Sequence, residues 1–499
     1  MAGISQRMND VKQILKNLVS AVKIGDSNKA HDCLKILVAD KPNLDASWLG
    51  VARMAILASE VNFAKQALEL FHPSGQDSIS EKLQQLTMLI ETGQIELAFD
   101  MATELAKVNP SRPEINHFLS TVALQLGKTK LAIKYAELVL KHWPTSGQTW
   151  LILASSHKIL TDSPLLKRML NVEDSVAGTP NQASKSSFYA ALSKAHFDIK
   201  DFYQAFKYAS QSNAYLAEIQ TYSVAEDRQN VGYIESQHAS FVEAPQSDRK
   251  VDADNPIFIV GLPRSGTSLL EQMLCSHSQI IDGGEFNGME RASRCLTKGL
   301  PIGSRAEQLD ANVIEKHAVE IRRSYLRYAH EKYGVHGVVV DKSMTNNRYL
   351  WLIKKIFPNS PIIFIKRNIL DTVWSCYKTH FSSGFTWSVS LENTAAFFSI
   401  EEDLNRLWRQ KFQSSILAIN YQDLVEHPET SLKELCHFCG LEYETSMLKF
   451  HESKRAVFTA SVAQVRKTVH QNALGYGKKI ESQLQPFVEN YKYSINEGG

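Results

Sequence analysis

Residues Gly261 to Ser268 read GLPRSGTS, with the apolar run IFIV before them and an apolar stretch after them. This predicts a strand, a tight loop and a helix. Glycines let a backbone curl until its amide hydrogens converge on an anion. A helix N-terminus adds partial positive charge at the same place. Arg264 supplies a full charge, and Thr267 and Ser268 supply hydroxyl donors. With Ser265 and Gly266 they are the candidate residues for holding a phosphate. The loop departs from the G-x-x-x-x-G-K-[ST] pattern of nucleotide triphosphatases. Thr267 stands in the lysine slot and the cation has moved to Arg264, which disfavours ATP hydrolysis. A second apolar run, IIFI at 362–365, is followed by Arg367 and, eight residues later, by Ser375. A cation at a strand end and a hydroxyl one to two turns into a helix suit a second phosphate, apart from the first.

PRSGTS followed by R-x7-S resembles the two segments that bind 3′-phosphoadenylyl sulfate (PAPS) in sulfotransferases. There the first segment grips the 5′-phosphosulfate and the second the 3′-phosphate. The resemblance runs over about Pro256 to Tyr491. It includes GGE at Gly283 to Glu285, DK at Asp341 and Lys342, YQDL from Tyr421, and TASVAQVRK from Thr459 to Lys467. The combination looks like the bacterial sulfotransferases that carry tetratricopeptide repeats and, more distantly, tyrosylprotein sulfotransferases. It implies Glu285 as general base, a role worth about 10²- to 10⁴-fold in rate. It implies Lys342, with Arg264, as stabiliser of the transferring or leaving oxygen. Ser461 matches a serine that contacts the cofactor, and Tyr421 a tyrosine on its adenosine side. The chain departs from the pattern at Phe286, where tyrosylprotein enzymes carry a second glutamate, and at Thr345, where repeat-bearing relatives carry proline. It departs again near GYGKK, where Tyr476 and Gly477 stand in place of a cation and a tryptophan.

These residues need a frame. Short β-branched runs at 257–260, 338–340, 362–365 and 416–419 read as buried parallel strands separated by helices. The expectation is a three-layer α/β domain with its ligands at the carboxyl ends of the strands. Gly283–Gly284 reads as a turn.

The first 220 residues repeat. Ala30, Ala64, Ala98 and Ala132 are 34 residues apart; Gly25, Gly93 and Gly127 keep the register, with Ser59 in the gap, as do Pro42, Pro110 and Pro144. Each unit reads as two antiparallel helices: the small residue permits close approach, the glycine makes the turn, and the proline ends the second helix. The period resembles tetratricopeptide repeats. The register slips over 161–183 and resumes over 186–219, with Ala205 at the small position. The expected architecture is therefore multidomain: an α-solenoid over 1–222, a linker over 223–255 with room for one more helix, and the sulfotransferase-like domain over 256–499. The array either docks a peptide or protein acceptor, braces the catalytic half or drives homodimerisation.

Composition narrows the classes. A net charge of +2 argues against a dedicated nucleic-acid binder. No apolar run approaches the roughly 20 residues of a membrane span, and the N-terminus lacks a signal-peptide core, so a cytoplasmic protein without membrane attachment is expected. Six cysteines make no disulfide framework. Cys436 and Cys439 read as buried thiols near a helix that stops at Gly440. His277, His380 and His470 lack metal-site spacing, and no metal is expected. Lysine and arginine pairs at 454–455, 466–467 and 478–479 suit an electrostatic funnel or a solvated face. The leading expectation is a PAPS-dependent sulfotransferase acting on a hydroxyl, with a peptide or protein acceptor, tyrosine included, ahead of a carbohydrate or small metabolite. A P-loop kinase-like enzyme is the rival, with Asp341 holding magnesium.

Overall fold

In the computed structural model, residues 2–75, 78–237, 254–297, 311–334, 337–381, 384–452 and 474–495 are described. The chain divides into two compact units. The first comprises Met1–Ala102, Gln229–Phe258 and Gln279–Ser360, and the second Thr103–Arg228, Ile259–Ser278 and Pro361–Gly499.

The N-terminal part is helical. In the first unit, α1 (Ala2–Ile24) pairs with α2 (Ser27–Asp40), and α3 (Trp48–Leu57) with α4 (Val61–Glu69). They are followed by α5 (Ile79–Glu91) and α6 (Ile95–Val108). In the second unit, α7 (Pro113–Gln125) pairs with α8 (Thr129–His142). Next come α9 (Gly147–Ser156), α10 (Pro164–Ala177), α11 (Gln182–Asp198) and α12 (Phe202–Ala217). The turns are left-handed where the repeat requires: Gly25, Gly93 and Gly127 have φ of +73°, +86° and +71°. Ser59 takes the same conformation at +63°. So does Lys200 at +67°, placed before Ala205 as Gly25 is before Ala30. Ala30, Ala64, Ala98, Ala132 and Ala205 are buried, as close helix contact demands. Where the register slips, α9 packs on α11 and the intervening α10 also contacts α11. Helix α13 (Val224–Gln237) occupies the start of the expected linker.

Five strands follow: β1 (Ile257–Val260), β2 (Ile280–Gly284), β3 (Val338–Asp341), β4 (Ile362–Lys366) and β5 (Ile416–Asn420). Their order is β2-β3-β1-β4-β5. β1 and β2 each pair in parallel with β3, as β4 does with β5. Two expectations need correction. The segment ending in Gly283–Gly284 is a strand with a register shift, not a turn. Asp-Gly-Gly reads as a turn from its chemistry, but here glycine serves close packing: a Cβ on Gly283 would lie 2.5 Å from the Val340 carbonyl oxygen. And β5 is not a buried strand. It lies at the sheet edge, with Ala418 exposed.

The first unit buries Phe258, Tyr325 and Phe357 against one another, with ring centroids 5.0–5.9 Å apart. Tyr325 comes from α14 (Ala311–Tyr333). In the second unit, α15 (Ile369–Tyr377) and α16 (Leu391–Lys411) share a core with Ala205 and Ala209 of α12. Cys436 and Cys439 are buried at the end of α17 (Pro428–Cys439), which Gly440 stops at φ +70°.

Candidate active site

In the second unit, the chain leaves β1 into the loop that the sequence marks for phosphate. Arg264 is left-handed at φ +68° and Gly266 at +110°, with Ser265 between them donating its N–H to the Leu262 carbonyl. Alternation of hand turns successive amides toward one side, which suits an anion. Helix α18 (Thr267–Leu274) starts there. Only glycine fits at 266, because a Cβ would lie 2.3 Å from the Tyr421 ring. Ser265 is buried and its Oγ has no partner among the described residues. A buried hydroxyl costs free energy unless something bonds to it, so the loop fits a bound oxyanion.

The second predicted phosphate position joins this loop. Arg264 donates from Nε to Ser375 Oγ at 3.0 Å, and Arg367 donates from Nη1 to the Arg264 carbonyl at 3.0 Å. The Arg367 guanidinium lies over the Tyr421 ring, 4.9 Å from its centroid. Five predicted residues, Arg264, Gly266, Arg367, Ser375 and Tyr421, thus form one contiguous cluster. Burial raises the Tyr421 phenol above its ordinary value, against the pull of the two arginines. A cavity of about 610 Å³ opens beside Ser265 and Arg367 and is also lined by Asn405, Arg406, Tyr491 and Tyr493. Its volume suits a nucleotide-sized ligand.

Sequence reasoning missed two contributors. Lys378 lies three residues after Ser375 on the same helix face. Its Nζ sits 4.4 Å from the Phe197 ring centroid. Burial, and then the charges of Arg264 and Arg367, lower its pKa to about 7. Its proximity to Ser375 along the sequence was the available signal. Asp371 is buried and accepts from the backbone N–H groups of Gly475 and Gly477 at 2.8 and 2.7 Å. That contact ties the GYGKK segment to α15. The residues flanking Gly477 serve packing: Tyr476 lies against Phe197 and Phe202, and Lys479 sits 4.8 Å from the Tyr476 ring. No sequence pattern marks the Asp371 contact.

In the first unit, Glu285 follows β2 and Lys342 follows β3. Lys342 Nζ pairs with Glu285 Oε1. The lysine side chain is 1% exposed and the glutamate 34%. Lys342 is therefore neither solvated nor paired with Asp341. Asp341 is fully buried and occupied elsewhere. Its Oδ2 accepts from Tyr325 at 2.8 Å, and its Oδ1 from the Ser343 N–H at 2.8 Å and Asn346 Nδ2 at 3.1 Å. Burial raises its pKa despite these bonds. A carboxylate so engaged is a poor magnesium ligand, which removes the support for the kinase-like alternative. Ser343 Oγ accepts from the Asn287 N–H at 2.9 Å, tying the segment after Glu285 to the one after Lys342. Phe286 is a core residue, buried among Tyr325, Tyr328 and Tyr333.

Ser461 and the basic pairs at 454–455 and 466–467 lie outside the described residues, as does His470. His277 contacts the Glu442 carbonyl at 2.8 Å, and His380 contacts Ser187 at 3.3 Å.

Residues 256–445 match the model described as the sulfotransferase family. The chain is 29% identical over 319 residues to an uncharacterized protein of Aquifex aeolicus, covering 62% of this chain and 42% of that protein. It is 24% identical over 232 residues to a putative protein-tyrosine sulfotransferase of Caenorhabditis briggsae, covering 44% of this chain and 79% of that protein. Among solved structures it resembles mouse sulfotransferase SULT7A1 complexed with PAP, at 16% identity and a TM-score of 0.31, covering 54% of this chain and 94% of that one. The chain thus spans less than half the length of the Aquifex relative.

Proposed function

We propose that this chain is a PAPS-dependent sulfotransferase that moves a sulfuryl group to a hydroxyl of a peptide or protein, tyrosine included. In this reading residues 256–499 form the catalytic domain, and residues 1–222 are a tetratricopeptide-type array that docks the acceptor. No described helix is long and apolar enough to cross a membrane; a cytoplasmic location is part of the proposal.

The observation that carries the reading is the pairing of Glu285 with buried Lys342, within the span that matches the sulfotransferase family. When bound, PAPS supplies an electrophilic sulfuryl group and a phosphate leaving group. The backbone amides of 266–268, Ser265 Oγ and Arg264 would hold its 5′ side, and Arg367 and Ser375 would hold its 3′-phosphate. Glu285 takes the acceptor hydroxyl proton at its carboxylate. Lys342, ion-paired with that carboxylate, would turn its ammonium to the negative charge that develops in transfer. Most of the work is positioning and electrostatics, as in phosphoryl transfer.

The test is incubation of the full chain with sulfur-labelled PAPS and either a tyrosine-containing peptide library or a host-cell extract, followed by identification of the labelled product. Label on peptide or protein hydroxyls supports the reading. Label confined to carbohydrate or small molecules replaces the acceptor class. No PAPS-dependent labelling, with PAP binding also absent by calorimetry, removes the activity.

A further inference from the structure

Away from the residues assigned to transfer, three side chains of unlike chemistry meet in the first unit. Cys295 lies on the short helical turn Ser293–Thr297, and His317 and Glu320 share one face of α14, three residues apart. A ligand-type atom of each (sulfur, ring nitrogen and carboxylate oxygen) lies within 4.8 Å of the other two. His317 Nδ1 is 3.2 Å from Glu320 Oε2. The other carboxylate oxygen, Oε1, accepts from Ser27 Oγ at 2.9 Å and from Asn28 Nδ2 at 3.3 Å. All three residues are partly buried.

We propose that Cys295, His317 and Glu320 bind a divalent cation of the zinc class. One thiolate, one imidazole and one carboxylate form a borderline-soft donor set that suits zinc and disfavours magnesium and calcium. Tetrahedral ligands at zinc bond lengths lie about 3.3–3.8 Å apart. The His317–Glu320 pair already approaches that spacing, and the trio needs to close by only ~1 Å. Binding releases the thiol proton to solvent and changes no oxidation state; water completes the coordination. The bonds from Ser27 and Asn28 are the outer-sphere support that orients a ligating carboxylate.

Three chain segments converge here, which gives such an ion a purpose. The turn between α1 and α2 sits so close that a Cβ on Gly25 would lie 2.5 Å from the Arg294 carbonyl oxygen. Helix α14 carries Tyr325, which bonds Asp341 next to Lys342. Cys295 is ten residues beyond Glu285. A bound cation cross-links the segment downstream of the proposed base to the helix that braces the strand before Lys342, and through Glu320 to the first helical turn. The sequence expectation of no metal rested on spacing along the chain. This set is assembled across 26 residues with no motif.

The test is a titration of Co²⁺ into the metal-stripped full chain, followed by absorption. A near-ultraviolet thiolate-to-cobalt charge-transfer band, with the intense visible bands of four-coordinate cobalt, is expected to saturate at one equivalent. Cys295→Ser abolishes the charge-transfer band. Ser27→Ala, which leaves every ligand in place, weakens zinc affinity in competition by about 10- to 100-fold. Added Zn²⁺ raises the Tm of the wild type and not of Cys295→Ser. A missing charge-transfer band, one that survives Cys295→Ser, or a Zn²⁺ response equal in both proteins overturns the assignment.

Discussion

Replacing Arg367 with alanine tests the second phosphate position most directly. The side chain is 10% exposed, and its guanidinium makes two kinds of contact. One is internal: the bond to the Arg264 carbonyl and the stacking on Tyr421 shape the loop for any ligand. The other is the proposed charge-assisted bond to the 3′-phosphate. A bond of that kind is worth about 1.5–3 kcal/mol. That corresponds to about 12- to 160-fold in Kd. The two contributions separate if calorimetry compares PAP with adenosine 5′-phosphate, which lacks only the 3′-phosphate. Arg367→Ala is expected to weaken PAP by about 12- to 160-fold more than adenosine 5′-phosphate. Arg367→Lys recovers part of the difference, because it keeps the charge without the planar fork. Equal losses for the two ligands would assign Arg367 to loop shape alone. Unchanged PAP affinity would refute the placement of the 3′-phosphate.

Further outcomes follow from the same geometry. Glu285→Gln is expected to lower kcat by about 10²- to 10⁴-fold while PAP affinity stays near wild type; retained turnover removes Glu285 as base. Gly266→Ala forces a Cβ to within 2.3 Å of the Tyr421 ring at φ +110°. A stability loss of at least about 1–3 kcal/mol in urea unfolding is expected, and an unchanged midpoint contradicts the packing. Lys378 has a folded pKa of about 7, below its ordinary value. The unfolded chain therefore holds the proton more tightly, and stability rises as pH climbs from about 7 toward the ordinary lysine value. Lys378→Met should raise Tm near about pH 6 and change it little near about pH 10; an equal shift at both rejects the burial account.

Local rules made much of this protein legible. Left-handed turns at Gly25, Gly93 and Gly127, and buried alanines between them, follow from a 34-residue period, because close helix packing and tight turns demand those residue types wherever they recur. The strand-loop-helix at Gly261–Ser268 was equally readable, since glycine spacing and a following helix are local properties. Arg367 and Ser375 were read from residue types and a family likeness as a second phosphate position apart from the loop; their direct contact with Arg264 came only from the fold. Other features depended on partners far apart in sequence. β2 carries a turn-like Asp-Gly-Gly, and only the Val340 carbonyl lying against Gly283 explains the extended glycine. Lys342 could have paired with its neighbour Asp341. Burial and three donors took that carboxylate, leaving Glu285 for the lysine. Lys378 is an ordinary lysine until the fold sets it in a desolvated place near two arginines. Sequence by itself determined the periodic helices and the glycine loop between β1 and the helix that follows it, whose causes lie within a few residues of the chain. Tertiary structure decided which charges are buried and what each one faces, because desolvation and Coulomb interaction depend on distance in space.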